Sequence, residues 1–493
     1  MSAHVRGHSD NSSAPGLSGA PASTAASGAA STPGIPERAA VLDFLSAAVD
    51  VAAGPGAGPD EPEAVIDAVA GLGLPPGSPV LIAMPNSRAA LAAFFGTLLA
   101  GTVPVLLPPA ATAARIADIG RQLGGAALIA PRIDPARFGA PELHSLGGRC
   151  EAALLDAGAH QRYSPGEVVL MTSGTSGIAS GCLHGVGALL RNADRHATAI
   201  GQRADDTVLV SLPLFYSYGL VAQALAAFVR GSRLVVSGPP FTPKSFTETL
   251  RAHDVTVSAL TPSSAVRLAE ELAEGRTARA TTLRTLTVGG DTLDPVHVRS
   301  LLKSGFPELY LTYGLTEAGP RVTTLAAHRE PEHRWASVGV PLPGVRTHLR
   351  ERTGDGPGAE LVVESDTVLR RKLPGGAPTA DSSVSTGDRF DIDTDGYHYF
   401  LGRSGDCVVI GGEKIWLPSV RRIAAGVPGV RRVATTTYHD DDNELRYGLD
   451  VTVDDPGPRL ETEIRNALNR VLLRAERPHR ITVRPATPEE WRK

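Results

Sequence analysis

The sequence holds little cysteine: three residues in 493, Cys150, Cys182 and Cys407, with no C-x-x-C pair among them. That excludes a disulfide framework and a cysteine-rich zinc site, and it fits a reducing compartment. No apolar run reaches the roughly 20 residues of a membrane span. The N-terminus also lacks the charged-then-apolar order of a secretory signal. The formal charge is only −4, with acids and bases interspersed, so the basic footprint of a nucleic-acid binder is missing. The most basic stretch, RNALNRVLLRAERPHRITVR, spaces its arginines as the wet face of a surface helix does. A cytoplasmic protein with neither nucleic-acid nor membrane partners is expected.

Residues 1–37 are mostly Ser, Ala, Gly and Pro. They bury too little apolar surface to offset ordering entropy, which predicts a disordered tail. From Arg38 onward, strand and helix patterns alternate. SPVLIAMP reads as a buried strand and NSRAALAAFFGTLLAG as a helix, with Asn86 or Ser87 as N-cap and Gly101 just past its end. TVPVLLPP, DTVLVSLP, GSRLVVSG, VTVSALTP and LRTLTVGG continue the strands. Such alternation predicts an α/β fold, a large domain over 38–404 of parallel-rich sheets flanked by helices. Residues 405–493 carry two short helical and several strand patterns and are expected to form a small α+β domain, with Gly405 in the linker.

Three stretches carry chemistry. The first, LMTSGTSGIASGCLHG, follows the apolar run EVVLM. Backbone N–H groups freed by Gly174, Gly177 and Gly181, with the hydroxyls of Thr172, Ser173, Thr175 and Ser176, would form an anion-binding concavity. Yet the loop holds no lysine and lacks the GK[ST] ending of a P-loop. The second, LYLTYGLTEAGPRV, sets Thr316 and Glu317 at the C-terminal end of a strand, the edge where open α/β sheets bind ligands. A carboxylate and a hydroxyl there suit Mg²⁺, which prefers oxygen donors. In the third, STGDRFDIDTDGYHYFLGR, Asp388 after Gly387 is free to accept two hydrogen bonds from a ribose diol, and Arg403 offers a guanidinium to phosphate or ribose oxygens. Read alone, each also fits an ordinary turn.

Their order and spacing together resemble the adenylate-forming superfamily of acyl- and aryl-CoA synthetases, peptide-synthetase adenylation domains and luciferases. TSGTSGIASG resembles the phosphate loop, YGLTE the adenine and magnesium motif, STGD the ribose motif, and GRSGDCVVIGGEKI the hinge and moving loop. The resemblance implies ATP and Mg²⁺ as cofactors. Adenine would lie against Gly289, Gly290, Asp291 and the segment of Leu311, Thr312, Tyr313 and Gly314. Asp388 would hold the ribose, Glu317 the Mg²⁺, and Thr175 with Thr316 the phosphates. In that superfamily a bound oxyanion attacks the α-phosphate of ATP, giving an adenylate and pyrophosphate. The small domain then rotates and a second nucleophile displaces AMP.

The departures are as informative. The loop lysine is replaced by Ser180, and the C-terminal lysine position by Trp491, with Arg492 and Lys493 next. Lys493, or Lys414 in GGEKI, is the expected substitute. In LPLFYSYGL, Tyr216 stands where amino-acid-activating relatives have Asp and many CoA ligases have His, so an ordinary α-amino acid is not expected. Phe215, Tyr216 and Tyr218 would line an aromatic pocket. The expectation is an AMP-forming ligase for a small carboxylic acid, aromatic if that pocket forms. The acceptor would be CoA, an amine or a carrier protein acting in trans. The alternatives are a diazotase that activates nitrite for an aryl amine, and a nucleotide-binding relative without turnover.

Overall fold

The computed structural model describes residues 34–486 except 52–60, 140–141, 148–149, 156–162, 173–179, 239, 278–281, 352–357, 380, 404–406, 411–412, 442–443, 458 and 473–476. The predicted tail lies outside the described residues up to 33, and the first helix is Arg38–Ala47.

Two eight-stranded sheets carry the architecture. In the first, Glu167–Thr172, Val103–Leu106, Pro79–Ile82 and Ala127–Ala130 run parallel in that spatial order. Antiparallel strands flank them, Ser180–Gly185 and then Arg371–Leu373 at one edge. In the second, Arg233–Val236, Thr207–Val210, Val257–Leu260, Thr285–Gly289 and Glu308–Gly314 are parallel, and Arg321–Ala326 turns back antiparallel. Their near-continuous burial is what parallel strands covered on both faces require.

The helix Arg88–Leu99 lies in a core shared by both sheets, and all its residues but Leu99 are buried. Ser87 caps it, accepting from Ala90 N–H. Asn86, the other cap candidate, has a different task. Its amide donates to Leu212 and Ser237 carbonyls and accepts from Leu214 N–H, all at 2.8 Å, which ties the first sheet to the second. Asn86→Ala strands those buried groups and is expected to cost about 2–3 kcal/mol of stability, read by chemical denaturation.

The helix Val186–Ala199 enters the same core. It carries His196, fully buried with both ring nitrogens unpartnered among the described residues. Burial first, and the Arg321 charge second, push its imidazole down to about 3. The folded state therefore keeps His196 neutral while the unfolded chain protonates near 6.5. That contribution is intact above pH 6.5 and is lost as pH falls toward 3, by up to about 1.4 kcal/mol per pH unit. His196→Leu should flatten part of the acid limb of melting temperature against pH.

Beside these parallel-rich sheets, Val345–Arg350, Ala359–Ser365, Ser383–Ile392 and His398–Arg403 form an antiparallel four-stranded sheet. Short turns suffice between antiparallel neighbours, so no crossover helices are needed. Residues from Ile410 to Ile481 gather a hydrophobic cluster of their own. Val430–His439, Leu445–Val453 and Arg480–Pro485 form a sheet against helices Leu417–Ala425 and Leu460–Val471, around Tyr447, Val451 and Ile464. No helix among the described residues is long and apolar enough to cross a membrane.

Candidate functional site

The site forms at the C-terminal ends of the parallel strands Thr285–Gly289 and Glu308–Gly314, paired in register so that Gly289 faces Thr312. A Cβ on Gly289 would lie 2.4 Å from Thr312 Oγ1, and one on Gly314 would lie 1.8 Å from the Pro320 carbonyl oxygen. Only glycine allows these approaches, and it leaves two strand ends bare of side chains. Gly290 has φ +94°, and Asp291, exposed, accepts from Thr292 N–H at 2.8 Å.

Asp388 reaches this edge from the antiparallel sheet, where it pairs with Arg403. It is 1% exposed. One carboxylate oxygen accepts from the Tyr313 hydroxyl at 2.7 Å, the other from Arg403 Nε at 2.8 Å. The sequence reading left Asp388 free to accept two hydrogen bonds, and here it is not. Both oxygens are already engaged, because strand register brings Arg403 opposite and Tyr313 adjoins across the sheet contact. Burial raises the Asp388 carboxyl above its usual range, against the lowering pull of Arg403 and Tyr313. The Tyr313 phenol is raised well above 10, by burial and then by Asp388. Its ring packs edge-on against Phe390 at 4.8 Å.

Glu317 sits in the short turn Thr316–Ala318 directly after the Gly314 strand end. Its carboxylate accepts an ion pair from Lys372 Nζ at 3.1 Å. Sequence reading missed Lys372. It lies on the edge strand Arg371–Leu373, opposite Cys182 on the strand that begins at Ser180. That strand and Glu167–Thr172 pair Thr172 with Ser180 on either side of residues 173–179. Lys372 therefore stands beside the base of the lysine-less loop. The signal was available: a loop that has lost its cation needs another, and Lys372 precedes a motif already singled out. Thr316 Oγ1 shares a 3.0 Å hydrogen bond with Ser217. Beneath Glu317, buried His184 is pushed down to about 4, chiefly by burial, and is neutral at pH 7.

The three predicted pocket aromatics do not form one lining. Phe215 and Tyr216 stack on each other at 4.4 Å, and Tyr216 is 41% exposed. Tyr218 turns inward, and its hydroxyl shares a hydrogen bond with Thr287 at 3.0 Å. Tyr218 opens the helical turn Tyr218–Leu225, and Gly219 inside it lies so close to Pro213 that a Cβ would clash with that carbonyl.

Several candidates cannot be placed. Ser173, Gly174, Thr175, Ser176 and Gly177, with Gly405 and Lys493, lie outside the described residues. Lys414 has a backbone position, opposite Val409 in the hairpin of Cys407–Ile410 and Glu413–Trp416, and its side chain lies outside the described part.

What the described residues offer is a set of hard oxygen donors (Glu317, Thr316, Ser217), a cation beside them, and a carboxylate–phenol–guanidinium group one strand away. One carboxylate with hydroxyls suits Mg²⁺ that takes its other ligands from phosphates and water. The residues present fit that ion.

Residues 64–371 match the family of AMP-binding enzymes. The chain is 26% identical over 322 residues to a 2-succinylbenzoate–CoA ligase of Lactococcus lactis, covering 65% of this chain and 68% of that protein. Among solved structures, an anthranilate CoA ligase in complex with anthranoyl-AMP superposes with a TM-score of 0.74 at 18% identity, covering 92% of this chain and 94% of the other. An amide bond synthetase from Marinactinospora thermotolerans gives 0.73 at 22% identity, covering 91% and 95%.

Proposed function

Since the chain belongs to the AMP-binding enzyme family and is an AMP-forming acid ligase, we propose that it converts a small carboxylic acid and ATP into an acyl-adenylate and pyrophosphate. The thiol of CoA or an amine then attacks the acyl carbon, and the bond from that carbon to the phosphate oxygen breaks, releasing AMP. An oxygen of the acid forms a bond to the α-phosphorus, and the bond from that phosphorus to the bridging oxygen of pyrophosphate breaks, its electron pair leaving with pyrophosphate.

The observation that carries this reading is the pairing of Glu317 with Lys372 at the strand end, beside the Asp388–Tyr313–Arg403 group. Glu317 and Thr316 would hold Mg²⁺, which supplies charge neutralisation at phosphate oxygens. Lys372 would supply the cation that the loop lacks, acting on the charge that develops on the leaving pyrophosphate. Asp388 would exchange one of its present partners for a ribose hydroxyl, with Arg403 and Tyr313 keeping the carboxylate oriented. The segment after residue 404 would be the domain that moves between the two half-reactions. The activities of these relatives, CoA ligation of aromatic acids and amide bond synthesis, support an aromatic or similarly sized acid and either a thiol or an amine as acceptor.

The test is pyrophosphate release with ATP and Mg²⁺ across a panel of aryl, acyl and amino acids, with a further arm of nitrite plus an aryl amine. Release that depends on a carboxylic acid is the expected result. Release with nitrite and amine alone would replace carboxylate activation by the diazotase reaction.

A further inference from the structure

Arg321 opens the strand Arg321–Ala326 and is 2% exposed. Its backbone is fixed by Asn192, whose side chain accepts from Arg321 N–H at 2.8 Å and donates to its carbonyl at 2.9 Å. The guanidinium lies 4.2 Å over the Tyr218 ring and donates through Nη1 to Thr312 Oγ1 at 2.8 Å. Nε has no partner, and no carboxylate among the described residues forms an ion pair with it. The neighbouring His196 is neutral and offers no counter-charge.

A buried cation with one hydroxyl and one ring for company is costly to keep. Departures of this kind concentrate at functional sites. The location agrees. A Cβ on Gly314 would lie 2.6 Å from Arg321 Nη2, and one on Gly289 would lie 3.3 Å from Nη1. The fork thus lies directly against the two bare strand ends that form the site. Tyr218, Thr287 and Thr312 add hydroxyls around it. The groups beside these strand ends are thus polar and cationic, with the Tyr218 ring among them.

We propose that Arg321 is a specificity-determining residue that receives a planar oxyanion of the substrate, two oxygens on one atom matched to the fork of the guanidinium. This rests on the acid-ligase reading and assigns its substrate class. The oxyanion is the carboxylate to be activated, a second carboxylate of a diacid, or an inorganic anion of the same shape.

Isothermal titration with benzoate, phthalate and nitrite, each with AMP present, tests it on the wild type, Arg321→Met and Arg321→Lys. The wild type should bind at least one anion. Arg321→Met should weaken that anion at least tenfold and leave AMP affinity unchanged, and Arg321→Lys should lose only part, keeping the charge but not the fork. A loss confined to phthalate identifies a second carboxylate, one confined to nitrite an inorganic anion, and one shared with benzoate the reacting carboxylate. Because the variant removes an uncompensated buried charge, Arg321→Met should melt no lower than the wild type. Three results overturn the proposal: anion affinities equal in wild type and variant, no anion bound by the wild type, or a variant that melts well below the wild type with AMP binding weakened in step. A wild type that fails to bind AMP would instead refute the acid-ligase reading.

Discussion

Lys372→Met should slow adenylate formation about a hundredfold, in the range lost when a donor to developing charge is removed from an active site. Lys372 is the cation that the described residues place against Glu317, at 3.1 Å. It stands on the strand whose neighbour begins at Ser180, where the loop after Thr172 ends. If Lys372 acts on the phosphates that leave as pyrophosphate, the variant should bind ATP about tenfold more weakly and AMP as well as before. If it only balances Glu317, ATP and AMP affinities should both stay put. Stability separates little here, because the lysine side chain is 60% exposed and exposed ion pairs contribute little. Lys372→Arg should retain much of the activity, since charge and reach survive. Titration calorimetry with the two nucleotides, beside single-turnover adenylation, reads all three.

Asp388→Asn should weaken ATP and AMP together, by about 10- to 100-fold, because the ribose is common to both. The substitution removes the charge that Arg403 and Tyr313 both address, and an amide cannot accept from both as a carboxylate does. Breaking this partly buried pair should also lower stability by about 1–3 kcal/mol. Comparing nucleotide affinities at a temperature where both proteins are fully folded separates the two effects. The contrast is diagnostic: a ribose residue moves ATP and AMP alike, and a pyrophosphate residue moves ATP alone. Asp388→Asn that binds AMP normally would remove Asp388 from the nucleotide site.

The parallel strands were legible in the sequence because burial on both faces writes them as short continuous apolar runs. LTVGG ended one residue past the strand Thr285–Gly289, and LYLTYG ended with the strand Glu308–Gly314. Motif order pointed to Glu317 and Asp388, and the strand ends bring Tyr313 and Asp388 into hydrogen-bond contact. What was not legible is pairing across distance. The state of Asp388 depends on the register that puts Arg403 opposite it. No local pattern fixes that register, so Asp388 was taken as open. Lys372 was missed because substitutes for the lost lysines were sought by nearness to the moving loop and the C-terminus, whereas an edge strand delivers one. Arg321 left a trace in the sequence, a charge at the head of the apolar-alternating RVTTLA. Its lack of a counter-ion is visible only in three dimensions. The opposite exposures of Tyr216 and Tyr218 were not legible either, because Tyr218 opens a helical element whose start no local pattern marked.

The site should cleave ATP between the α- and β-phosphates in response to an acid. The most direct measurement follows the wild-type enzyme with ATP, Mg²⁺ and an accepted acid, and identifies the nucleotide product and any acid–AMP ester by mass. AMP with pyrophosphate, and an ester that appears only when the acid is present, is the result predicted. ADP with phosphate, or bound ATP left intact with every acid tried, would contradict it.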